Sequence, residues 1–324
     1  MFRKIAKKLR RKIYRLVSAV YDSDLKPPTS REKQLVEELK ASFRESPSVE
    51  PGDSYPSEKE WLINVNRLKE LVLNDDPREF LRWDVISKTM SVTYAEYITI
   101  EQRYLKNRVD WHNRWRQALE ESPVGHPVPH WQYPRSSANL IHHAYHLAQF
   151  EEKTMLQVHT MDFVFEFGGG YGSMCRLFHN LGFQGKYVLF DLPDFSSLQK
   201  FYLKSIGLAV HPLKSFEKEK KGCVCISGTE QLRHILSNSH AGNSMFIATW
   251  SISETPIEFR NNILPLTADF GAFLIAYQHR FKEVDNITFF RNWAANQKDI
   301  ECYDWEIEHI PKNGYLMGKR KANQ

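Results

Sequence analysis

"VFEFGGGYGSM", residues 164–174, places a run of strand-forming residues and a carboxylate, Glu166, directly before three consecutive glycines. Glycine is needed where a chain turns with positive φ, or where another group comes too close for a Cβ. The following "SMCRLFHNLG" (173–182) has the spacing of a helix, so the stretch predicts a strand, a tight turn and a helix. A dinucleotide fingerprint begun at Gly168 and Gly170 would need its third glycine at position 173, which is Ser173. The pattern present is Glu166-x-Gly168-x-Gly170-x-Gly172, with Gly169 and Tyr171 between. Nineteen residues after Gly172, Asp191 ends "KYVLFD" (186–191), which predicts a second acid at the tip of a second strand.

Further downstream "GCVCIS" (222–227), "SMFIAT" (244–249) and "AFLIAY" (272–277) are short apolar runs with helical patterns in most of the intervals. Strands alternating with helices predict a mainly parallel sheet covered on both faces. "DWEIEHI" (304–310) and "GYLMGKR" (314–320), separated by "PKN", predict a closing antiparallel pair. Upstream, helical patterns near 31–45, 59–73, 77–90 and 94–121 predict a helical region. The proline-punctuated "ESPVGHPVPHWQYPRSS" (121–137) and a helix over "ANLIHHAYHLAQFEE" (138–152) complete it. The expected organisation is a basic helix over 1–22, a helical cap over 23–152 and an α/β sheet domain over 153–324.

The 324 residues carry a net charge of +5, but residues 1–20 hold eight Lys or Arg and no acid. What remains is 36 basic against 39 acidic residues, so no broad phosphate-tracking surface and no nucleic-acid partner is expected. In "MFRKIAKKLRRKIYRLVSAV" the apolar residues recur every three or four positions among the cations, as in a basic amphipathic helix. Such a helix suits an anionic membrane surface, a partner protein or a solvated face; a mitochondrial presequence would be richer in serine. The four cysteines show no CxxC pair, which suits a reducing cytoplasm and gives no disulfide or zinc framework.

The Glu166–Gly172 pattern resembles motif I of class I S-adenosylmethionine-dependent methyltransferases. "FEFGGGYGSMCRLF", "YVLFDLPDF" and "FIATWSISETP" together resemble the sugar O-methyltransferases of bacterial surface-glycan gene clusters, over about residues 130–320. "FDLP" is also similar to plant-type small-molecule O-methyltransferases. The resemblance implies a Rossmann-like methyltransferase sheet, S-adenosylmethionine as cofactor and a sugar or glycan acceptor, nucleotide-linked or lipid-linked. Glu166 would then face the cofactor's ammonium, which a pyrophosphate-binding loop could not use, and Asp191 its ribose hydroxyls. Gly168, Gly169, Gly170, Tyr171, Gly172, Leu192 and Trp250 would complete the cofactor set.

Ligands of open α/β sheets lie beyond the carboxyl ends of the strands, so "TWSISETP" (249–256) should face the transferred methyl. Thr255, Pro256 and Glu258 are spaced as a capping box, leaving Trp250, Ser251, Ser253 and Glu254 in the loop before the helix. A sugar hydroxyl needs a base, and the candidates are Glu254, His142, His143, His146 and His279. His142 and His146 lie one turn apart, but no carboxylate or cysteine stands near them in sequence, so no metal is expected. Trp131, Tyr133 and Arg135 are expected either to hold the acceptor or to wedge the helical region against the sheet. An aromatic-metabolite methyltransferase and a non-catalytic binding module are the competing readings.

Overall fold

The computed structural model describes residues 12–46, 56–237 and 243–321. Residues 1–11, half of the basic helix, and most of "ESPSVEPGDSYP" lie outside them. The sheet has seven strands: β1 Phe163–Phe167, β2 Lys186–Phe190, β3 Gly222–Ile226, β4 Ser244–Thr249, β5 Ala272–Gln278, β6 Ile300–Glu306 and β7 Asn313–Arg320. Their spatial order is β6-β7-β5-β4-β1-β2-β3. β3, β2, β1, β4 and β5 run parallel, while β7 lies antiparallel between β5 and β6. The fold is Rossmann-like, with the antiparallel C-terminal pair that the sequence predicts. The first strand of that pair, Ile300–Glu306, begins and ends earlier than "DWEIEHI", and its end is set by the turn Ile307–Ile310, where the Ile310 N–H donates to Ile307 O at 2.8 Å.

Alternation along the strands sends successive side chains to opposite faces. Phe165, Val188, Val224 and Phe246 pack on one face; Val164, Tyr187, Leu189, Cys223 and Met245 pack on the other. The second face shares one continuous core with the helical region, whose α1 Ser30–Glu45, α2 Pro56–Asn74, α3 Ile98–Lys106 and α4 Ala138–Thr154 supply Leu39, Leu68, Ile98 and Ile141. α5 Ser173–Asn180 follows the glycine turn, α6 Pro193–Ser205 follows β2, and α7 Thr229–Ser237 follows β3. α8 Ile257–Ile263 follows β4.

Two helical expectations differ. The span 94–121 is not one helix: it breaks after Lys106 and resumes as a π-turn over Trp111–Trp115. At the break the Asp110 carboxylate accepts from Arg108, Arg114 and the Trp115 indole. The pattern over 77–90 divides into a 3-10 turn, Pro77–Arg82, and a short helix, Asp84–Thr89.

Residues 12–20 are helical and dock on the body. The Tyr14 ring stacks on Trp131 at 4.3 Å and Arg15 lies over Tyr94 at 5.2 Å. Ile13, Leu16 and Val20 face outward, at 46%, 63% and 78% exposure. No helix among the described residues is long and apolar enough to cross a membrane.

Candidate active site

β1 delivers the glycine turn to the carboxyl edge of the sheet. Gly168, Gly170 and Gly172 all have positive φ, at 69°, 56° and 95°, so each needs the conformational freedom of glycine. A Cβ on Gly168 would lie 2.2 Å from the Ser251 Cβ, and one on Gly170 would lie 3.1 Å from Met90. The close neighbours that the protein itself supplies are thus the β4 tip and the helical region.

Asp191, just past β2, closes the turn. Its carboxylate accepts the Gly170 N–H (3.1 Å), the Leu192 N–H (2.8 Å) and the Gln199 amide (3.1 Å), while burial pushes it up to about 7. Glu166 lines the same cavity; burial pushes it up to about 8, against the Tyr187 hydroxyl that donates to it at 2.9 Å. A protonated acid beside an acceptor-rich turn fits a ligand carrying an ammonium and a ribose. The cation would return Glu166 to its carboxylate, and Asp191 Oδ1, which accepts only the Leu192 N–H, has a lone pair left for a hydroxyl donor.

Tyr171 turns into the helical interface. Its ring meets Phe80 and Tyr202 edge-on, and its hydroxyl accepts from Asn139 at 3.0 Å. Asn139 Oδ1 in turn accepts the Val92 N–H at 3.0 Å, pinning segment 90–92 over the glycine turn.

A cavity of about 770 Å³ runs from this turn across the tips of β2, β3 and β4. It takes in Leu192, Trp250, Ser251, Glu254, His142 and His143, and from the helical region Trp61 and Met90. Trp250 sits in the left-handed region (φ 63°), its indole held by Asn313 at 2.7 Å, and lies nearly parallel to His142 at 5.4 Å. His142 Nδ1 is 2.9 Å from both oxygens of Glu101, which is fully buried on α3. Glu101 also accepts from His309 Nε2 at 2.9 Å, from the turn between β6 and β7. Nδ1 being engaged, His142 presents Nε2 as the nitrogen able to take a proton.

His143 lines the cavity without a carboxylate partner, and burial pushes it down to about 3. Burial also holds His146 well below its usual value; it lies beneath the cavity with its Nδ1 on the Tyr315 hydroxyl. Of the expected site residues, Gly172, which packs against Leu203, and His146 and His279 fall outside the cavity lining. Ser253 does too, being fully buried with its hydroxyl on Gln278 at 2.6 Å. Ser251 does reach the cavity, though its hydroxyl is committed to Phe167 O.

The expected capping box is absent. Ile252–Glu254 winds into a 3-10 turn, Thr255 Oγ1 donates back to Ile252 O at 2.8 Å, and α8 starts after Pro256 with no side-chain cap. The buried Arg260 takes over the anchoring, donating to Ser253 O (2.7 Å) and Thr255 O (3.0 Å). Glu254 lines the cavity and accepts from Gln278 at 3.0 Å. Trp131, Tyr133 and Arg135 lie in the hairpin Pro129–His130/Tyr133–Ser137, away from the cavity; Trp131 carries Tyr14 and Arg135 pairs with Glu120. Among the described residues, no group of three or more His, Cys, Asp or Glu is arranged to hold a metal ion.

No family model and no curated protein matches the sequence. Among solved structures, an rRNA methylase from Streptococcus thermophilus is 13% identical, with a TM-score of 0.38 over 56% of this chain and 95% of the other. Mitomycin 7-O-methyltransferase is also 13% identical, with a TM-score of 0.36 over 69% of this chain and 66% of its own. The M. capricolum protein TrmK, bound to S-adenosylhomocysteine, is 11% identical, with a TM-score of 0.35 over 55% of this chain and 68% of the other. The fold assignment rests on the strand order of this chain.

Proposed function

We propose that the protein is an S-adenosylmethionine-dependent O-methyltransferase that methylates a sugar hydroxyl during surface-glycan assembly. The observation that carries this reading is one cavity that joins the glycine turn and Asp191 to an imidazole backed by a buried carboxylate. When bound, the cofactor supplies an electrophilic methyl group. Asp191 holds the ribose, Glu166 faces the ammonium, and the β4 tip with Trp250 borders the methyl end. His142 Nε2 takes the proton of the acceptor hydroxyl, and Glu101 both fixes the Nδ1–H tautomer and stabilises the imidazolium that results. Glu254 and the neutral His143 border the same space as hydrogen-bond partners for further hydroxyls.

The sugar class is supported by the "FEFGGGYGSMCRLF", "YVLFDLPDF" and "FIATWSISETP" resemblance. The helical region, residues 23–152, serves as the acceptor-side wall. The basic N-terminal helix holds the enzyme at an anionic membrane surface, where lipid-linked glycans are assembled; its outward Ile13, Leu16 and Val20 support this placement.

The test is incubation with methyl-labelled cofactor and a panel of nucleotide sugars, lipid-linked glycans and phenols, read by mass spectrometry. Labelled sugar is expected. Labelled phenols alone would favour an aromatic-metabolite enzyme, and cofactor binding with no product a non-catalytic module. His142→Ala should lower turnover by roughly 10²- to 10⁴-fold while leaving S-adenosylhomocysteine affinity near its original value.

A further inference from the structure

Strand order divides the cavity into two ends. β4 lies on one side of β1, with β2 and then β3 on the other. Asp191 marks the β2 tip, whereas His142, Trp250 and Glu254 cluster at the β4 side. A nucleoside whose ribose sits on Asp191 and whose reactive group points towards β4 must carry its base outward, over the tips of β2 and β3. The residues waiting there are Leu192, Phe195, Ser227 and Thr229 from the sheet connections, and Trp61 with Leu62 from α2.

Trp61 meets Phe195 edge-on, with ring centroids 5.8 Å apart and planes at 82°. Two aromatic planes at a right angle make a corner in which a flat heteroaromatic ring stacks on one wall and meets the edge of the other. α6, which carries Phe195, is tied to α1. Lys204 on α6 pairs with Glu38 on α1 at 3.0 Å, and Ser46, just past α1, donates to Asp194 at 3.3 Å.

We propose that Trp61 is the outer wall of the adenine subsite, so that the helical region binds the cofactor as well as the acceptor. The proposal rests on the cofactor reading above. It makes cofactor binding a clamp between α2 and α6: a purine in the corner touches both at once.

The experiment is titration of S-adenosylhomocysteine, and separately of 5′-methylthioadenosine, which keeps the purine and ribose but lacks the amino acid. Unaltered protein, Trp61→Phe and Trp61→Ala are compared by calorimetry and indole fluorescence. Trp61→Ala should weaken both ligands about equally, by roughly 10- to 100-fold, the scale of one base–aromatic stack. Trp61→Phe should bind within a few-fold of the original while losing part of the ligand-induced change in emission. In the unaltered protein, hydrogen exchange should slow along Pro56–Asn74 when S-adenosylhomocysteine binds.

Trp61→Ala binding both ligands with original affinity would overturn the proposal. So would unchanged exchange along α2, which needs no variant to fold. An unaltered protein that ignores S-adenosylhomocysteine would instead overturn the cofactor reading itself.

Discussion

Burial and ligand chemistry pull Glu166 in opposite directions. Held at about 8 in the folded chain, it binds its proton far more tightly than in the unfolded chain, where its value is about 4.5. A raised folded value stabilises fully below the unfolded one and loses its contribution as pH rises through the folded one. Asp191, at about 7, acts in the same direction. The depressed His143 acts oppositely, but only below about pH 6.5, where the unfolded chain protonates its imidazole. Between pH 6.5 and 8 the carboxyls therefore dominate, and the ligand-free protein should lose up to about 1.4 kcal/mol per pH unit for each fully protonated group. Urea midpoints across that window should fall, and Glu166→Gln should flatten the fall. Asp191→Ala should cost about 1.5–3 kcal/mol of S-adenosylhomocysteine affinity by calorimetry, the scale of hydrogen bonds to a charged group. Both acids were legible in the sequence because each ends a strand beside a glycine turn or a predicted tip. Glu101 was not: "ITIEQRYL" marks it only as one acid on a helix, and its partners His142 and His309 stand 41 and 208 positions away.

Where β1 ends and β4 ends, two elements cross at the limit of contact. Gly168→Ala would drive a Cβ into Ser251 at 2.2 Å and hold alanine at φ 69°. Overpacking and left-handed strain together should cost roughly 2–5 kcal/mol, read as a lower thermal midpoint. Ser251→Gly should restore part of it in the double variant, because it removes the clashing atom but not the strained φ. The glycine spacing announced this crossing without saying what crosses. At the other end of the β4 loop, "TPIE" has the spacing of a capping box, yet the 3-10 turn engages Thr255 first, its N–H (3.3 Å) and its hydroxyl (2.8 Å) both donating to Ile252 O. A helix start is a local competition, and here the preceding 3-10 turn takes the groups of Thr255 that a capping box would use. Trp61 was invisible for the same reason as Glu101: its partner, Phe195, belongs to another layer.

At the scale of the whole molecule, the alternation of strands and helices made the sheet readable, since both faces needed covering. The helical region shares its core with one face, so its packing followed from contacts distant in sequence. The docked segment 12–20 gives the membrane proposal a definite geometry, because stacking on Trp131 fixes which side faces out. Leu16→Glu with Val20→Glu changes only exposed positions and should leave stability, read from the thermal midpoint, within about 1 kcal/mol of its original value. It should nevertheless reduce co-sedimentation with anionic vesicles. Removing residues 1–11, with six of the eight cations, should reduce it further, by about 1 kcal/mol for each cation that reaches the surface, and salt should mimic the loss. Equal sedimentation of all forms would end the proposal. The turn bearing His309 has a consequence for biosynthesis. Asn313 holds Trp250, Tyr315 holds His146 and His309 holds Glu101, and all three leave the ribosome after every glycine and acid of the cofactor turn. A nascent chain therefore holds the glycine turn and both acids before the residues that orient Trp250, His146 and Glu101 have been made.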